Sequence, residues 1–214
     1  MVLSTQQILD AGLDDWRQLA QALHGRFRTG DFTAGLRFVA AVGEAAEHAN
    51  HHPEVTLTPA VVEVRLLSHD VSQITQRDVD LARHISEIAR EQGVSAEPGA
   101  VAQVELGLDA ADVAALGPFW AALLTGTTGS VHGNDVVDPT GQVPLLWFQD
   151  TDDHDTPRQR FHLDLWVPHD VAAERVAAAV AAGGRVVDAE QAPSFVVLAD
   201  PEGNRACVCT CLDR

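Results

Sequence analysis

The chain has 214 residues, of which 46% are hydrophobic, so it is long and apolar enough to bury two small cores. Its formal net charge is −17, and it contains no lysine. Because no basic stripe is present, the composition argues against a protein that binds nucleic acid or an anionic membrane. The sequence has no apolar run of roughly 18 residues and no signal-peptide pattern at its start, so we expect a cytoplasmic protein.

The first half of the chain alternates helical and extended patterns. Apolar residues at helical spacing follow capping residues, and β-branched residues mark the extended runs. We predict helices over 5–12, over 32–50 and from Thr75, a hairpin over 16–29, and one long strand over 55–67. This order predicts an α+β domain with a four-stranded type of antiparallel sheet and helices on one face.

The stretch 93–100 joins small residues with Pro98 and Gly99, and it separates two periodic regions. We therefore predict a linker at 93–100, between a first domain over 1–92 and a second over 101–214.

The second half carries a weak internal repeat. The extended segment 104–108 with its following helical run is echoed by 161–165 and a second helical run, and shorter extended segments follow each. We predict paired βαβββ modules that curl around a shared cup. The charged segment 150–160 between them is interpreted as a solvated loop, since it lacks the register of a calcium loop.

Four of the ten histidines fall in one stretch: His48, His51, His52 and His69. Imidazole can give or accept a proton near neutral pH, so the cluster is suited to acid–base catalysis. Pro53 disfavours helical geometry at His52, which predicts a helix end at the histidine pair. A zinc site is the alternative, but neighbouring side chains at a helix end point apart and would rarely share one ion.

The C-terminal sequence carries a C-x-C-x-C pattern at Cys207, Cys209 and Cys211. On a strand this alternation puts the three thiols on one face. We interpret them as small apolar side chains in a sheet core, because zinc sites normally show C-x2-C spacing with a second ligand pair.

Over residues 3–90 the chain resembles the pterin-4a-carbinolamine dehydratase family. Glu47 is followed after three residues by His51-His52-Pro53, and His69 and Asp78 come at the spacings of the family pattern. Two positions depart from it: Pro59 and Val55 stand where relatives carry aromatic residues.

The resemblance implies removal of water from a 4a-hydroxytetrahydropterin to give a quinonoid dihydropterin, with neither metal nor cofactor. A base would take a ring proton while an acid protonates the departing hydroxyl. By resemblance, the catalytic residues are His51, His52 and His69, without an assignment of acid and base. Asn50, Leu67, Ser68 and Asp70 would line the pterin, and Glu47 and Asp78 would orient the imidazoles or the loop.

Over residues 101–212 the chain resembles the vicinal-oxygen-chelate superfamily, in particular its glyoxalase-like members. The repeated βα units, Phe119-Trp120, the His162-Leu-Asp-Leu segment and the D-P-E-G-N turn at 200–204 carry this resemblance. Metal-using members place ligands at positions that correspond to Glu105, His162, Cys207 and the segment 145–148. Since only His162 is a natural match, we expect no metal here; Glu105, His162 and Asp164 would line a pocket for a second small ligand.

Three hypotheses follow. The first is a dehydratase acting on a small-molecule pterin, with an appended ligand-binding domain. The alternatives are a non-catalytic ligand-binding or regulatory dimer, and a lyase or dioxygenase that uses a metal in the second domain. A homo-oligomer is expected, because a small sheet with an exposed edge commonly pairs with a copy of itself.

Overall fold

The computed structural model describes residues 1–125, 127–152, 161–181, 184–199 and 205–214. Contacts divide the chain into two compact units. The N-terminal unit comprises Met1–Ala102, Val167–Val171 and Thr210–Arg214, and the C-terminal unit comprises Gln103–Trp166 and Ala172–Cys209.

The N-terminal unit packs three helices against an antiparallel sheet. Its elements are α1 (Thr5–Asp10), β1 (Trp16–Leu19), β2 (Ala22–Arg28), α2 (Phe32–Ala49), β3 (Glu54–Leu57), β4 (Val61–Leu66), α3 (Gln76–Glu91) and β5 (Ser95–Ala96). The strand order is β1-β2-β4-β3, and the short β5 pairs with β2. The expected α+β class with a four-stranded type of sheet is confirmed.

The prediction of one long strand over 55–67 is wrong, because the segment folds into the hairpin β3–β4. Pro59 lies exposed in its turn and has no backbone N–H for a sheet ladder. Thr58 closes the turn, since both its backbone N–H and its hydroxyl donate to the carbonyl of Val61, at 2.8 and 3.0 Å. The β-branched run therefore continues through the turn and supplies two strands.

Capping side chains fix where the two long helices begin. Asp31 accepts a hydrogen bond from the backbone N–H of Ala34 at α2, and Thr75 with Asp78 forms a capping box at α3. The apolar faces of both helices bury residues such as Phe38 and Ile85 in one core with Phe27 of β2. The core thus holds α2 and α3 in fixed positions against the sheet.

The predicted linker at 93–100 contains β5 and a short 3-10 helix at Pro98–Ala100. Glu97 forms ion pairs with Arg26 and Arg28 of β2, and its backbone N–H donates to the carbonyl of Arg26 at 2.7 Å. This segment is attached to the sheet of the N-terminal unit.

The C-terminal unit contains two βαβββ modules, as predicted. The first is β6 (Gln103–Ala110), α4 (Val113–Thr125), β7 (Val131–His132), β8 (Asp135–Val136) and β9 (Leu146–Asp150). The second is β10 (Phe161–Trp166), α5 (Ala172–Ala181), β11 (Arg185–Asp188), β12 (Phe195–Ala199) and β13 (Arg205–Cys209). They form one sheet in the order β11-β12-β13-β10-β6-β9-β8-β7.

The two modules meet at the antiparallel pair β6–β10, and each of these strands has a parallel neighbour, β9 for β6 and β13 for β10. Leu108 and Phe148 belong to an apolar core with Ala121 of α4. The alternate residues of β6 and β10 therefore form the opposite face of the sheet. The turn at 200–204 and most of the loop at 150–160 lie outside the described residues.

Two further observations concern the whole described chain. Cys207 and Cys209 lie on β13, but Cys211 lies beyond the end of that strand. The prediction that all three thiols lie on one strand is therefore wrong. No helix within the described ranges is long and apolar enough to span a membrane.

Candidate functional site

The position of His51 is fixed by the way α2 ends. Asn50 follows the helix in a left-handed conformation with φ of 47°. This reversal brings the backbone N–H of His51 back to the carbonyl of Ala46, at 3.1 Å. The side chain of His51 is thereby turned inward and is only 6% exposed.

Asp78 receives His51 in the interior. The Nε2 atom of His51 lies 2.7 Å from Oδ1 of Asp78, whose side chain is fully buried. The other carboxylate oxygen, Oδ2, accepts from the hydroxyl of Ser68 at 2.6 Å and from the backbone N–H of Thr75 at 2.7 Å. One carboxylate thus joins the end of α2, the loop after β4 and the start of α3.

Two further histidines lie at the surface beside this network. His52 is exposed, and its Nε2 atom lies 3.1 Å from Oε1 of Glu47. His69 is exposed in the turn after β4, directly after the buried Ser68, and not on the strand itself. Among the described residues no hydrogen bond joins His69 to His51 or His52.

Asp70 belongs to the same loop and pairs with Arg77 at the start of α3. The hydrogen bond from the Arg77 guanidinium lowers the pKa of the Asp70 carboxyl below its ordinary value. Asp70 therefore stays ionised at neutral pH. The exposed pair holds the His69 loop to the helix whose capping residue binds His51.

The predicted residues of the N-terminal site thus fall into two groups. His51, Ser68 and Asp78 are buried and hydrogen-bonded to one another, with Leu67 half-buried at the end of β4. Glu47, Asn50, His52, His69 and Asp70 are exposed around them. Thr75 and Arg77 complete the arrangement and were not predicted as site residues, although the T-x-x-D capping pattern was visible in the sequence.

A cavity of about 400 Å³ lies between α1 and α3, and two of its lining residues, Gln76 and Val79, flank Arg77 and Asp78 in sequence. It is lined by Leu3, Gln7, Asp10, Ala11, Gln76, Val79 and Arg83. None of these is a predicted site residue. The candidate site is therefore the surface around the exposed histidines, and not this cavity.

The C-terminal unit gathers polar side chains on the sheet face opposite its apolar core. Across the β6–β10 pair, Asp164 lies opposite Glu105 and His162 lies opposite Gly107. Cys207 on β13 is the parallel neighbour of Asp164. Directly paired residues point to the same face, so the predicted pocket residues Glu105, His162 and Asp164 are brought together.

Glu105 is held by donors on both carboxylate oxygens. Its Oε2 atom accepts from Nε1 of Trp166 at 2.9 Å, and its Oε1 atom accepts from Nε2 of Gln103 at 3.0 Å. Burial raises the pKa of the Glu105 carboxyl, and the neighbouring charge of Asp164 raises it further. A carboxyl in this state is easier to protonate than an ordinary one.

Asp164 and His162 form a second polar group beside it. The indole N–H of Trp147 donates to Oδ2 of Asp164 at 3.0 Å, and Nε2 of His162 lies 3.5 Å from Oδ1. The rings of His162 and Trp147 are close to perpendicular, with their centroids 5.2 Å apart. A Cβ atom on Gly107 would lie 2.4 Å from the His162 ring, so only glycine admits the imidazole there.

The positions at which metal-using members of the vicinal-oxygen-chelate superfamily place ligands do not offer such a set here. Each oxygen of Glu105 accepts one hydrogen bond, Oε2 from Trp166 and Oε1 from Gln103. Within the segment 145–148, the residue of β9 that pairs with Gly107 is Trp147, whose indole N–H is a donor that cannot bind a cation. The ligand set of the metal-using members is therefore incomplete on β9.

Comparisons with known proteins match two regions of the chain separately. The family model described as pterin 4 alpha carbinolamine dehydratase matches residues 2–88, and that of a glyoxalase-like domain matches residues 105–209. A protein from Thermosynechococcus vestitus is 40% identical over 79 residues, which cover 37% of this chain and 83% of the relative. The chain belongs to the pterin 4 alpha carbinolamine dehydratase family.

Other members of the dehydratase family are similar over the same region. A protein from Nocardia farcinica is 37% identical over 42% of this chain and 96% of its own length, and one from Natronomonas pharaonis is 40% identical over 35% and 80%. All three relatives carry the name "Putative pterin-4-alpha-carbinolamine dehydratase". A crystal structure titled as a transcriptional coactivator/pterin dehydratase from Brucella melitensis is 29% identical and covers 42% of this chain and 99% of its own, with a TM-score of 0.40.

Proposed function

We propose that the N-terminal unit is a lyase that removes water from 4a-hydroxytetrahydropterins. The observation that carries the proposal is the buried bond between His51 and Asp78, which fixes one imidazole of the family pattern beside two exposed ones. The similarity to dehydratase relatives over the same residues supports it.

The exposed imidazoles of His52 and His69 are the groups that can reach a bound pterin. In the proposed step, one histidine takes a proton from a ring N–H while the other donates a proton to the hydroxyl as its C–O bond breaks. The electron pair of the N–H bond forms the new C=N bond, and water leaves. No oxidant, reductant or metal ion is required for this balance.

The remaining residues would orient these groups. The carboxylate of Glu47 forms a hydrogen bond or an ion pair with the His52 imidazole. The carboxylate of Asp78 holds His51 and also the hydroxyl of Ser68, the residue before His69. Asn50, Leu67 and Asp70 surround the same surface and would contact the pterin. The substitution of an aromatic by Pro59 falls in the β3–β4 turn, at the opposite end of β3 from His52.

Dehydration of a 4a-hydroxytetrahydropterin by the full chain tests this proposal. We expect acceleration over the spontaneous reaction, with a loss of about 100-fold in kcat in His52→Ala and in His69→Ala. His84→Ala is the matched control, because His84 is also exposed but lies on α3 outside the site, and it should keep full activity. Wild-type protein without acceleration would overturn the proposal.

A melting experiment with the same pterin distinguishes the dehydratase from the regulatory alternative. A pterin that raises the melting temperature of the protein without being turned over would indicate a binding protein and not an enzyme.

We further propose a homo-oligomer, since β3 lies at the edge of its sheet with Val55 exposed and could pair with a second copy. Light scattering in solution measures the mass that decides this.

A further inference from the structure

The loop that carries His69 is closed at its base by two buried hydroxyl groups. Residues 69–73 are exposed, whereas Ser68 before them and Thr75 after them are 0% and 4% exposed. The hydroxyl oxygens of Ser68 and Thr75 lie 2.7 Å apart. The loop is therefore a short excursion from the core, and its two ends meet at one hydrogen bond.

We propose that Thr75 is a positioning residue for His69, and that its hydroxyl fixes where the His69 imidazole lies relative to α3. This inference rests on the proposed dehydratase function and adds to it a residue that the family spacing from Glu47 to Asp78 does not include. Because Thr75 is buried, it acts through His69 and not by contact with the pterin.

The number of available protons assigns the direction of the hydrogen bonds. A carboxylate accepts without donating, and each hydroxyl has one proton to donate. Ser68 donates to Oδ2 of Asp78 at 2.6 Å. Thr75 then donates to Ser68, the nearer of its two acceptors, since Oδ2 of Asp78 lies 3.2 Å away. The Thr75 oxygen in turn accepts from the backbone N–H of Arg77 at 3.3 Å, so one hydroxyl links the first turn of α3 to the residue before His69.

Backbone hydrogen bonds within the loop have a different effect. The N–H of Ser68 donates to the carbonyl of Gln73 at 3.2 Å, and the N–H of Val71 donates to the carbonyl of Ser68 at 3.1 Å. Both bonds join residues of the loop to each other, so they set its shape. The position of the loop relative to α3 depends on the side chains at its base.

The ion pair between Asp70 and Arg77 also joins the loop to α3, but both of its side chains are largely exposed. Exposed ion pairs contribute little, because water and salt screen them. Removal of the Thr75 hydroxyl has a larger effect, since it leaves the buried Ser68 hydroxyl without its donor. The buried pair is therefore the contact that holds His69.

The position of His69 matters because it follows Ser68 directly in the chain. A shift of Ser68 away from α3 moves the imidazole with it. A misplacement of about 1 Å can lower the rate of a catalysed step by about 100-fold. Loss of the Thr75 hydroxyl should therefore lower kcat, whereas KM should change little because the pterin keeps its other contacts.

Two substitutions at Thr75 in the full chain test the proposal. Thr75→Val removes the hydroxyl at nearly constant volume and should lower kcat for dehydration by at least about tenfold, with KM within about twofold. Thr75→Ser keeps the hydroxyl and should keep kcat close to that of the wild type. A Thr75→Val protein with the kcat of the wild type overturns the proposal.

Asp31→Ala is the matched control for the loss of a helix cap. Asp31 accepts from the backbone N–H of Ala34 at the start of α2, at the opposite end of that helix from His51. The variant should lower the melting temperature, as Thr75→Val should, but leave kcat unchanged. If Asp31→Ala lowers kcat as much as Thr75→Val does, general destabilisation explains both losses and the proposed role is wrong.

A double-mutant cycle shows whether Thr75 acts through His69. In the His69→Ala background, Thr75→Val should change the remaining kcat by less than about twofold, because the group that it positions is already absent. An equal loss in both backgrounds would place its effect elsewhere and overturn the proposal. Ser68→Ala removes the partner hydroxyl and should reproduce the loss, so it replaces Thr75→Val if that variant does not fold.

Amide hydrogen exchange tests the positioning without any use of activity. In Thr75→Val the amides of Ser68 and Val71 should exchange at least about tenfold faster than in the wild type, while Asp31→Ala leaves them unchanged. Unchanged exchange in Thr75→Val overturns the proposal. A wild-type protein that lacks dehydratase activity would instead contradict the proposed function, and the exchange rates would still show whether Thr75 holds the loop.

Discussion

Glu105 and Asp164 face each other across the antiparallel pair β6–β10, so two carboxyl groups lie side by side on one nearly buried sheet face. Each has an indole donor, Trp166 for Glu105 and Trp147 for Asp164. Buried like charges of this kind are costly when both are ionised. The pair therefore makes the stability of the C-terminal unit depend on pH.

We predict that Glu105→Gln stabilises the protein at neutral pH but not in mild acid. Because the folded-state pKa of Glu105 is raised above its ordinary value of 4.5, its contribution to stability is fully present below that value and is lost as pH rises through the raised pKa. The glutamine variant is not subject to this loss. Its advantage in the free energy of unfolding should therefore grow between about pH 4 and pH 7.

Urea denaturation followed by tryptophan fluorescence at several pH values measures this. Glu174→Gln serves as the control, since Glu174 is exposed on α5 and its replacement should give a small, pH-independent difference. A Glu105→Gln effect that stays constant across the range would contradict the prediction.

A second prediction concerns Asp78. Asp78→Asn replaces one acceptor by an amide that faces the donors of Ser68, Thr75 and His51, so we expect a loss of about 2–4 kcal/mol in the free energy of unfolding. The comparison is Asp80→Asn, two residues further along α3, where the side chain is exposed and the loss should stay below about 0.5 kcal/mol. Equal losses in the two variants would show that the buried network does not stabilise the fold.

A third prediction concerns two glycines. A Cβ atom at Gly25 on β2 would lie 2.8 Å from Phe27 and 2.9 Å from Trp16, both fully packed in the core. Gly25→Ala should cost about 1–3 kcal/mol. Gly43 in α2 has open space at the same atom, so Gly43→Ala should stabilise the protein by about 0.5–1 kcal/mol.

Thermal or chemical melts of the two glycine variants decide the matter. The signs should be opposite, and a stable Gly25→Ala protein would mean that Trp16 can shift without loss of packing. Its indole N–H donates to the hydroxyl of Ser86 at 3.0 Å, which argues against such a shift.

Much of the fold could be predicted because local chemistry determines it. Asp31 and Thr75 mark helix starts by their capping side chains, and the two βαβββ modules repeat a recognisable order of strand and helix. The β3–β4 hairpin was missed because its residues are β-branched on both sides of Thr58 and Pro59, so the pattern of one long strand and of two short ones is the same. Pro59 is the signal in the sequence that distinguishes them, because it has no backbone N–H for a ladder, and the pairing of Val55 with Val64 shows the outcome.

The geometry of the candidate sites could not be predicted from the sequence. The spacing from Glu47 to Asp78 names candidate residues, whose roles stay a prediction. Nothing in the spacing tells that His51 is buried and His52 is exposed, because this depends on the left-handed turn at Asn50. The placement of Asp164 beside Cys207 was out of reach for another reason. It depends on the register between β10 and β13, which strands distant in sequence acquire only in the folded sheet.

The double use of Asp78 couples the position of the His51 imidazole to the opening of one helix end. The carboxylate caps α3 and binds His51 at the same time, so any opening of the first turn of α3 also releases the imidazole. Helix ends open more readily than the rest of a domain. The amide of Thr75, whose hydrogen bond to Asp78 must break in such an opening, should therefore exchange with solvent deuterium at a rate that reports how often the site disassembles.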